Sequence, residues 1–423
     1  MSQPFILLPE SGHFRMDNLK VPGCLVGDPG DLTTLSLTIA DRMLGENRND
    51  IPAIDMDGAM VFPGFVDMHT HLDKGHIWPR TPNPNGTFDG ALGATRFDGA
   101  PGATRADSVA RWPAEDVHQR MAFSLRCAYA HGTRAIRTHL DSHAPQDSIS
   151  WGVFAETRAA WADRIALQAV SIISCDYLDA PELFAGTADI VAATGGVLGM
   201  VTYPNPNLAT QLTTFFAAAS DRGLAVDFHV DETMDPTVNT LRQIAQNVLA
   251  LRFEHPVVVG HLCALSTMDE QQALDTLDLV AKAGLQDRHA GRTPRNRGIT
   301  LVHEMKARGI NVSFASDNTR DPFYAYGDLD MIEVMRESTR IGHLDHAALD
   351  WPRAFLHNPA AACGFDMPSL RPGAPADLVI CKARNWTEFF ARPQSDRIVL
   401  RGGRPIDTTL PDYAELDPLM RIT

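Results

Sequence analysis

Between residues 60 and 315 apolar, strand-like runs alternate with longer amphipathic stretches, and this alternation constrains the fold more than any other feature of the chain. The runs are Met60 to Met68, Ala135 to His139, Ile165 to Ser174, Val197 to Tyr203, Ala225 to His229, Val257 to His261 and Ile310 to Ala315. Helical periodicity fills several of the intervals, at Ala114 to Tyr129, Leu208 to Ser220, Thr237 to Leu251 and Met268 to Ala283. Strands joined by helical crossovers run parallel, and seven of them over about 250 residues predict an α/β fold of the TIM-like (β/α)8 barrel type with one strand unaccounted for. The gap falls after Ala283-Gly284, where Gln286-Asp287-Arg288-His289 follows with no apolar run. A closed barrel cannot drop a strand without exposing two unpaired edges. The expectation is therefore a distorted barrel or, preferred here, a seventh-strand segment of about a dozen residues absent near Gly284 to Gln286.

The flanks have a different texture. The first 60 residues are rich in Gly, Pro and Asp and carry short runs such as Leu35-Ser36-Leu37-Thr38-Ile39. After Pro372-Gly373-Ala374-Pro375 come two more strand-like runs, Asp377 to Ile380 and Arg397 to Arg404. Residues 1–60 and 367–423 are thus expected to pair into one small, sandwich-like β-domain beside a barrel spanning 61–366.

The chemistry-bearing residues cluster where a barrel would put them, at the C-terminal ends of strands. His69 and His71 end the first run, His229 ends the fifth and His261 the sixth, and Asp317 follows the last in Ala315-Ser316-Asp317-Asn318. In an extended strand residues two apart share a face, so His69 and His71 can offer two imidazoles to one ion. Three imidazoles and a carboxylate suit one divalent ion, Zn²⁺ or Fe²⁺, with a position left for water. Glu232, three residues after His229, can sit beside the metal and carry a proton from its water to a ring nitrogen or leaving group. His261 has a second reading as a base or substrate hydrogen-bond partner outside the ligand set, and Lys74 either touches substrate or pairs with Asp73. The only lysines are Lys20, Lys74, Lys282, Lys306 and Lys382. None lies near the third or fourth strand end, which excludes a carbamylated lysine bridging two metals. Ser174 and Cys175 have no nucleophile-base arrangement and read as pocket lining. His76, Trp78 and Phe88, on the loop after the first strand, are candidates to cover the pocket.

A formal net charge of -15 disfavours nucleic acid and anionic membranes as partners and favours small neutral or cationic ligands. The six cysteines form no CxxC pair, no segment reads as a secretory leader, and no run approaches the roughly 20 apolar residues of a membrane span. A reducing, cytoplasmic setting is expected, with the chain acting as a homo-oligomer.

These residues carry a resemblance. Pro63 to Lys74, Arg137-Thr138-His139-Leu140-Asp141, Asp227 to Glu232, Gly260-His261, Arg297 to Thr300 and Ser316 to Phe323 resemble the amidohydrolase superfamily and, within it, the cytosine deaminase group. The resemblance implies metal ligation by His69, His71, His229 and Asp317, proton shuttling by Glu232, and water activation by His261 with Asp317. It departs where substrate is read. Cytosine deaminases end the third strand with a glutamine, where this chain has Ser174 and Cys175; they follow the metal aspartate with a second aspartate, here Asn318; and they carry a tryptophan near Phe323. Lys74 and the Ser-Asp-Asn run are closer to N-isopropylammelide amidohydrolase, which acts on triazines. Lys74, Ser174, Cys175, Asn318 and Phe323 are the expected substrate contacts. The expected activity is hydrolytic deamination of a cyclic amidine in a nitrogen heterocycle, with a cytosine-like pyrimidine first. N-dealkylating or ring-opening hydrolysis of a triazine or related ring is the alternative, and a non-catalytic binding paralogue is the alternative of another class.

Overall fold

The computed structural model describes residues 5–9, 13–86, 88–95, 112–283, 299–346 and 349–420. Fourteen strands appear among them: β1 (Phe14–Pro22), β2 (Leu32–Ala40), β3 (Met43–Gly45), β4 (Ala53–Asp55), β5 (Met60–Pro63), β6 (Phe65–Thr70), β7 (Thr133–Asp141), β8 (Ala166–Ile172), β9 (Leu198–Thr202), β10 (Val226–Val230), β11 (Val257–His261), β12 (Leu378–Cys381), β13 (Ile398–Arg401) and β14 (Arg404–Pro405). Strands from the two ends of the chain share one eight-stranded mixed sheet, ordered β14-β13-β12-β5-β1-β2-β3 with β4 on β1.

The run from Met60 to Met68, expected as a single strand, is two. Met60 to Pro63 pairs antiparallel with β12, and after Gly64 the chain enters a separate parallel sheet as β6 beside β7. Gly64 sits where a Cβ would stand 3.0 Å from both Arg134 Cβ and Arg401 Nη1, so the passage between sheets favours a residue without a side chain.

β6, β7 and β8 form one parallel sheet and β9, β10 and β11 another. The two are joined between β8 and β9 by single bridges, Val170 to Val197 and Ser174 to Val201. There the Ser171 hydroxyl donates to the Gly199 carbonyl (3.2 Å) and accepts the Gly199 N–H (2.8 Å), standing in for ladder bonds. Helices cross between the strands: Ala114–His131, Gln146–Trp161, Pro181–Ala193, Leu208–Asp221, Thr240–Leu251 and Glu270–Lys282. Period-two alternation explains the packing. On β10, Phe228 meets Phe215 and Phe216 of the helix before it (centroids 5.0 and 5.7 Å), while Asp227 and His229 take the opposite face.

The run expected as the last barrel strand, Ile310 to Ala315, makes no ladder. It is held by Phe314 N–H to Ala354 O (3.0 Å), Asn358 Nδ2 to Val312 O (2.8 Å) and a single bridge from Asp317 to Thr70. A ladder needs a neighbouring strand to pair with, and among the described residues the one strand pairing here is the Asp317–Thr70 bridge to β6, just past the run. The stretch after Gly284, where the sequence suggests a missing strand, lies outside the described residues.

Candidate metal centre and substrate cavity

Alternate residues of β6 and β10 point one way and carry the polar groups: Asp67 and His69 on β6, Asp227 and His229 on β10. With His71 just past β6, His261 ending β11 and Asp317 bridged to Thr70, five side chains converge. Ring centroids lie 5.3 Å apart for His69 and His71, 4.7 Å for His69 and His229, and 4.8 Å for His229 and His261. Asp317 Oδ1 is 3.5 Å from His69 Nε2 and 3.2 Å from His71 Nε2. Two overlapping groups, His69 with His229 and His261, and His69 with His71 and Asp317, have potential ligand atoms within 4.8 Å of one another.

The donor set fits a divalent ion. The Nε2 atoms of His69, His229 and His261 are buried without a hydrogen-bond partner among the described residues. Each such group costs about 1–3 kcal/mol if left so, and a cation held by neutral imidazoles removes that cost. Burial pushes His71 down to about 3, assisted by the charge of Lys74 and opposed by Asp317. Burial, with the neighbouring rings, likewise holds His69 and His229 well below the ordinary range. Burial alone would raise the Asp317 carboxyl, but His71, His69 and His261 hold it far below the usual carboxylate range. Neutral imidazoles beside an ionised carboxylate are the protonation states a metal requires.

Backbone geometry at the strand ends is unusual. Asp231, His261, Leu262 and Asp317 have φ of 49°, 69°, 55° and 59°, left-handed values that non-glycine residues adopt at a cost of order 1–3 kcal/mol. Asp231 offsets part of it by accepting from Thr240 N–H (2.9 Å), Thr240 Oγ1 (2.6 Å) and Leu241 N–H (3.2 Å). This fixes the turn that carries Glu232, whose Oε1 lies 3.7 Å from His261 Nδ1.

The cluster opens on a cavity of about 670 Å³ lined by His71, His229, Glu232, His261 and Asp317, with Lys74, Ser174, Asn318 and Phe323 around it. Four of the five expected substrate contacts thus border one space. Cys175 does not: it is fully buried, its Sγ directed at Tyr203 O (3.8 Å), because it follows Ser174 and turns away into the core. His76 is also no cover for the pocket, being buried against Phe123 (centroids 4.9 Å). A second cavity of about 480 Å³ shares Glu232, Asp317, Asn318 and Phe323 with the first and adds Asn83 and Tyr324.

His139, in a segment that carries the family resemblance, lies directly against this cluster. His139 stacks on His69 at 3.9 Å, and its Nε2 is 3.4 Å from Asp227, which also takes Arg137 Nη1 at 2.8 Å. The sequence signals for it were the resemblance of Arg137 to Asp141 to the family and the period-two recurrence of polar residues, Arg137, His139 and Asp141, inside an otherwise buried strand.

The family model for amidohydrolases matches residues 53–164 and 182–407, and the chain belongs to this family. It is 48% identical to a pterin deaminase of Rhizobium rhizogenes over 99% of this chain and 100% of the relative. That alignment runs over 444 positions, more than the 423 residues here, so stretches of the relative have no counterpart in this chain. An N-isopropylammelide isopropyl amidohydrolase of Pseudomonas is 24% identical over 84% of this chain and 87% of its own length. The crystal structure of a 5-methylcytosine deaminase from Klebsiella pneumoniae shares the fold, with a TM-score of 0.73 at 22% identity, covering 94% of this chain and 98% of that one. Among the described residues no helix is long and apolar enough to cross a membrane.

Proposed function

We propose that the protein is a metal-dependent hydrolytic deaminase of an amino-substituted nitrogen heterocycle, with a 2-amino-4-oxopteridine as the substrate type. The observation that carries the reading is Glu232 set 3.7 Å from His261 at the rim of a buried His/Asp cluster that opens on the cavity. The sequence put a cytosine-like pyrimidine first. The cavity volume, within the roughly 300–1,000 Å³ usual for small-molecule sites, accommodates a bicyclic ring, and the relative at 48% identity bears the name of a pterin enzyme. The same reading takes the six parallel strands and the segment leading to Asp317 as one (β/α)8 barrel over 61–366, flanked by a β unit from 1–60 and 367–423.

His69, His71, His229 and Asp317 would hold one Zn²⁺ or Fe²⁺, which when bound lowers the pKa of water to about 7 and so provides a nucleophile at neutral pH. Glu232 takes a proton from the attacking water and delivers it to the ring nitrogen beside the amino-bearing carbon. His261 and the ionised Asp317 orient that water. The carbon gains oxygen, a second proton reaches the amino group, and the C–N bond breaks: amidine and water become lactam and ammonia. Replacing Glu232 by Gln is expected to lower ammonia release about 10²- to 10⁴-fold while metal content, read by mass spectrometry, is unchanged. Near-full activity in that variant sinks the role of Glu232. Screening 2-amino-4-oxopteridine, cytosine, isocytosine and N-alkylated triazines tests the substrate, and release of an alkylamine instead of ammonia would favour the triazine alternative, for which the similarity to the Pseudomonas amidohydrolase speaks.

A further inference from the structure

The part of the cavity wall formed by Lys74, Asn318 and Phe323 is organised by a carboxylate that does not border it. Asp321 is fully buried. Its Oδ2 accepts Asn318 Nδ2 at 2.8 Å, and its Oδ1 accepts the backbone N–H of Phe323 at 2.9 Å and of Tyr324 at 3.2 Å. Burial raises its carboxyl above the ordinary carboxylate value, opposed by the charge of Lys74 and by these three hydrogen bonds, which favour the ionised form, and the Lys74 ammonium, itself buried, lies 4.5 Å over the Phe323 ring. Lys74, Asn318 and Phe323 all border the cavity, whereas Asp321 acts only through them.

An ionised carboxylate can only accept hydrogen bonds, so the Asn318 amide must turn its NH₂ toward Asp321. The carbonyl oxygen of Asn318 is thereby assigned as the end left to meet a ligand, an assignment that rests on chemistry instead of on the similar shapes of N and O. Lys74 offers donors only. One wall of the site thus presents a donor cation beside a neutral acceptor. A ring whose amino-bearing carbon is flanked by a lactam, –NH–C(=O)–, complements both: its carbonyl oxygen accepts from Lys74 and its N–H donates to Asn318. A ring with an amino group in place of that carbonyl sets donors against Lys74 and has no N–H for Asn318.

We propose that Asp321 is a positioning residue which fixes the polarity of this wall, and that through Asn318 and Lys74 the protein selects 2-amino-4-oxo heterocycles over their 2,4-diamino analogues. This rests on the deaminase reading above. Two quantities test it on the full-length, metal-loaded protein: kcat/KM for ammonia release, and dissociation constants read from pteridine fluorescence, for 2-amino-4-oxopteridine and 2,4-diaminopteridine. Wild type is expected to prefer the 4-oxo ring by about 100-fold or more, since a site built to hydrogen-bond rejects analogues that leave its groups unpaired. In Asp321→Asn the preference falls below about tenfold, chiefly through KM of the 4-oxo ring, with metal content and melting temperature retained; Asp321→Glu restores part of it. Asn318→Ala gives the same loss, and the double variant loses no more, as residues acting as one unit are non-additive. A folded Asp321→Asn that keeps the preference, or losses that add, overturns the proposal. If Asp321→Asn does not fold, Asn318→Leu must by itself abolish the preference, and its survival there overturns the proposal equally. No ammonia from either pteridine with wild type sinks the pteridine substrate of the deaminase reading instead, while the ratio of dissociation constants still decides the role of the wall.

Discussion

His229 and His261 reach the site on β10 and β11, paired residue for residue in a parallel ladder, whereas Asp317 reaches it on a segment with no ladder and hangs from a few specific bonds. Ser316 donates its N–H (3.1 Å) and hydroxyl (2.5 Å) to the buried Asp67 carboxylate, and Asp317 N–H donates to His69 O (2.8 Å). The two sides supply ligands to one cluster with different tolerances. Ladder bonds are many and each is dispensable. On the other side one carboxylate, Asp67, ties Ser316 to the strand that carries His69.

The largest expected difference between the sides follows from that tether. Asp67→Ala is expected to weaken metal binding about 10- to 100-fold in competition with a chelator, as loss of groups supporting metal ligands does. Thr202→Val, which removes the Oγ1 contacts to Thr240 (2.7 Å) and His229 O (3.3 Å) on the laddered side, should change it by no more than about threefold. Equal losses would break the comparison.

A smaller, pH-dependent effect is expected where the loop after β6 meets the tethered side. His76 N–H donates to Thr319 O (2.9 Å), and burial, with Arg320 and Arg120, pushes its imidazole down to about 3. The folded value lies below the ordinary 6.5, so the unfolded chain binds the extra proton between pH of about 3 and 6.5. Stability from this group is present above that window and is lost as pH falls through it. Melting temperatures of His76→Phe should therefore fall less steeply than wild type on acidification from pH of about 6.5 to 4; an unchanged slope would remove His76 from the account. The smallest effect belongs to Tyr413, which donates to Asp328 Oδ1 (3.0 Å) and lies under Arg320 (4.0 Å). Tyr413→Phe keeps the ring and loses one hydrogen bond, about 1 kcal/mol by denaturant unfolding, with metal content intact.

Much of this was readable in the residues. The strand-like runs from Ala135 to His261 and the four expected helices lie within a few residues of their expected bounds, because apolar periodicity reports directly which face of an element is buried, whereas the helices Gln146–Trp161 and Pro181–Ala193 were not among those expected. The split at Gly64 was not readable, since an uninterrupted apolar run does not say which of two sheets will bind each half. Nor was the unladdered state of Ile310 to Ala315, which depends on a neighbour and not on its own composition. Ser174 and Cys175 looked equivalent as neighbours, yet the turn after β8 sends one to the cavity and the other to the core.

The sequence by itself determined which residue types stand at the strand ends and, through the two-residue repeat, that His69 and Asp67, or His229 and Asp227, share a face. The tertiary structure alone decided what those faces meet: the stack of His139 on His69, the Asp67 tether of Ser316, and the turn of the Asn318 amide toward Asp321. Periodicity records the direction of a side chain from its own backbone. Partners from distant strands are set by the geometry that brings the strands together.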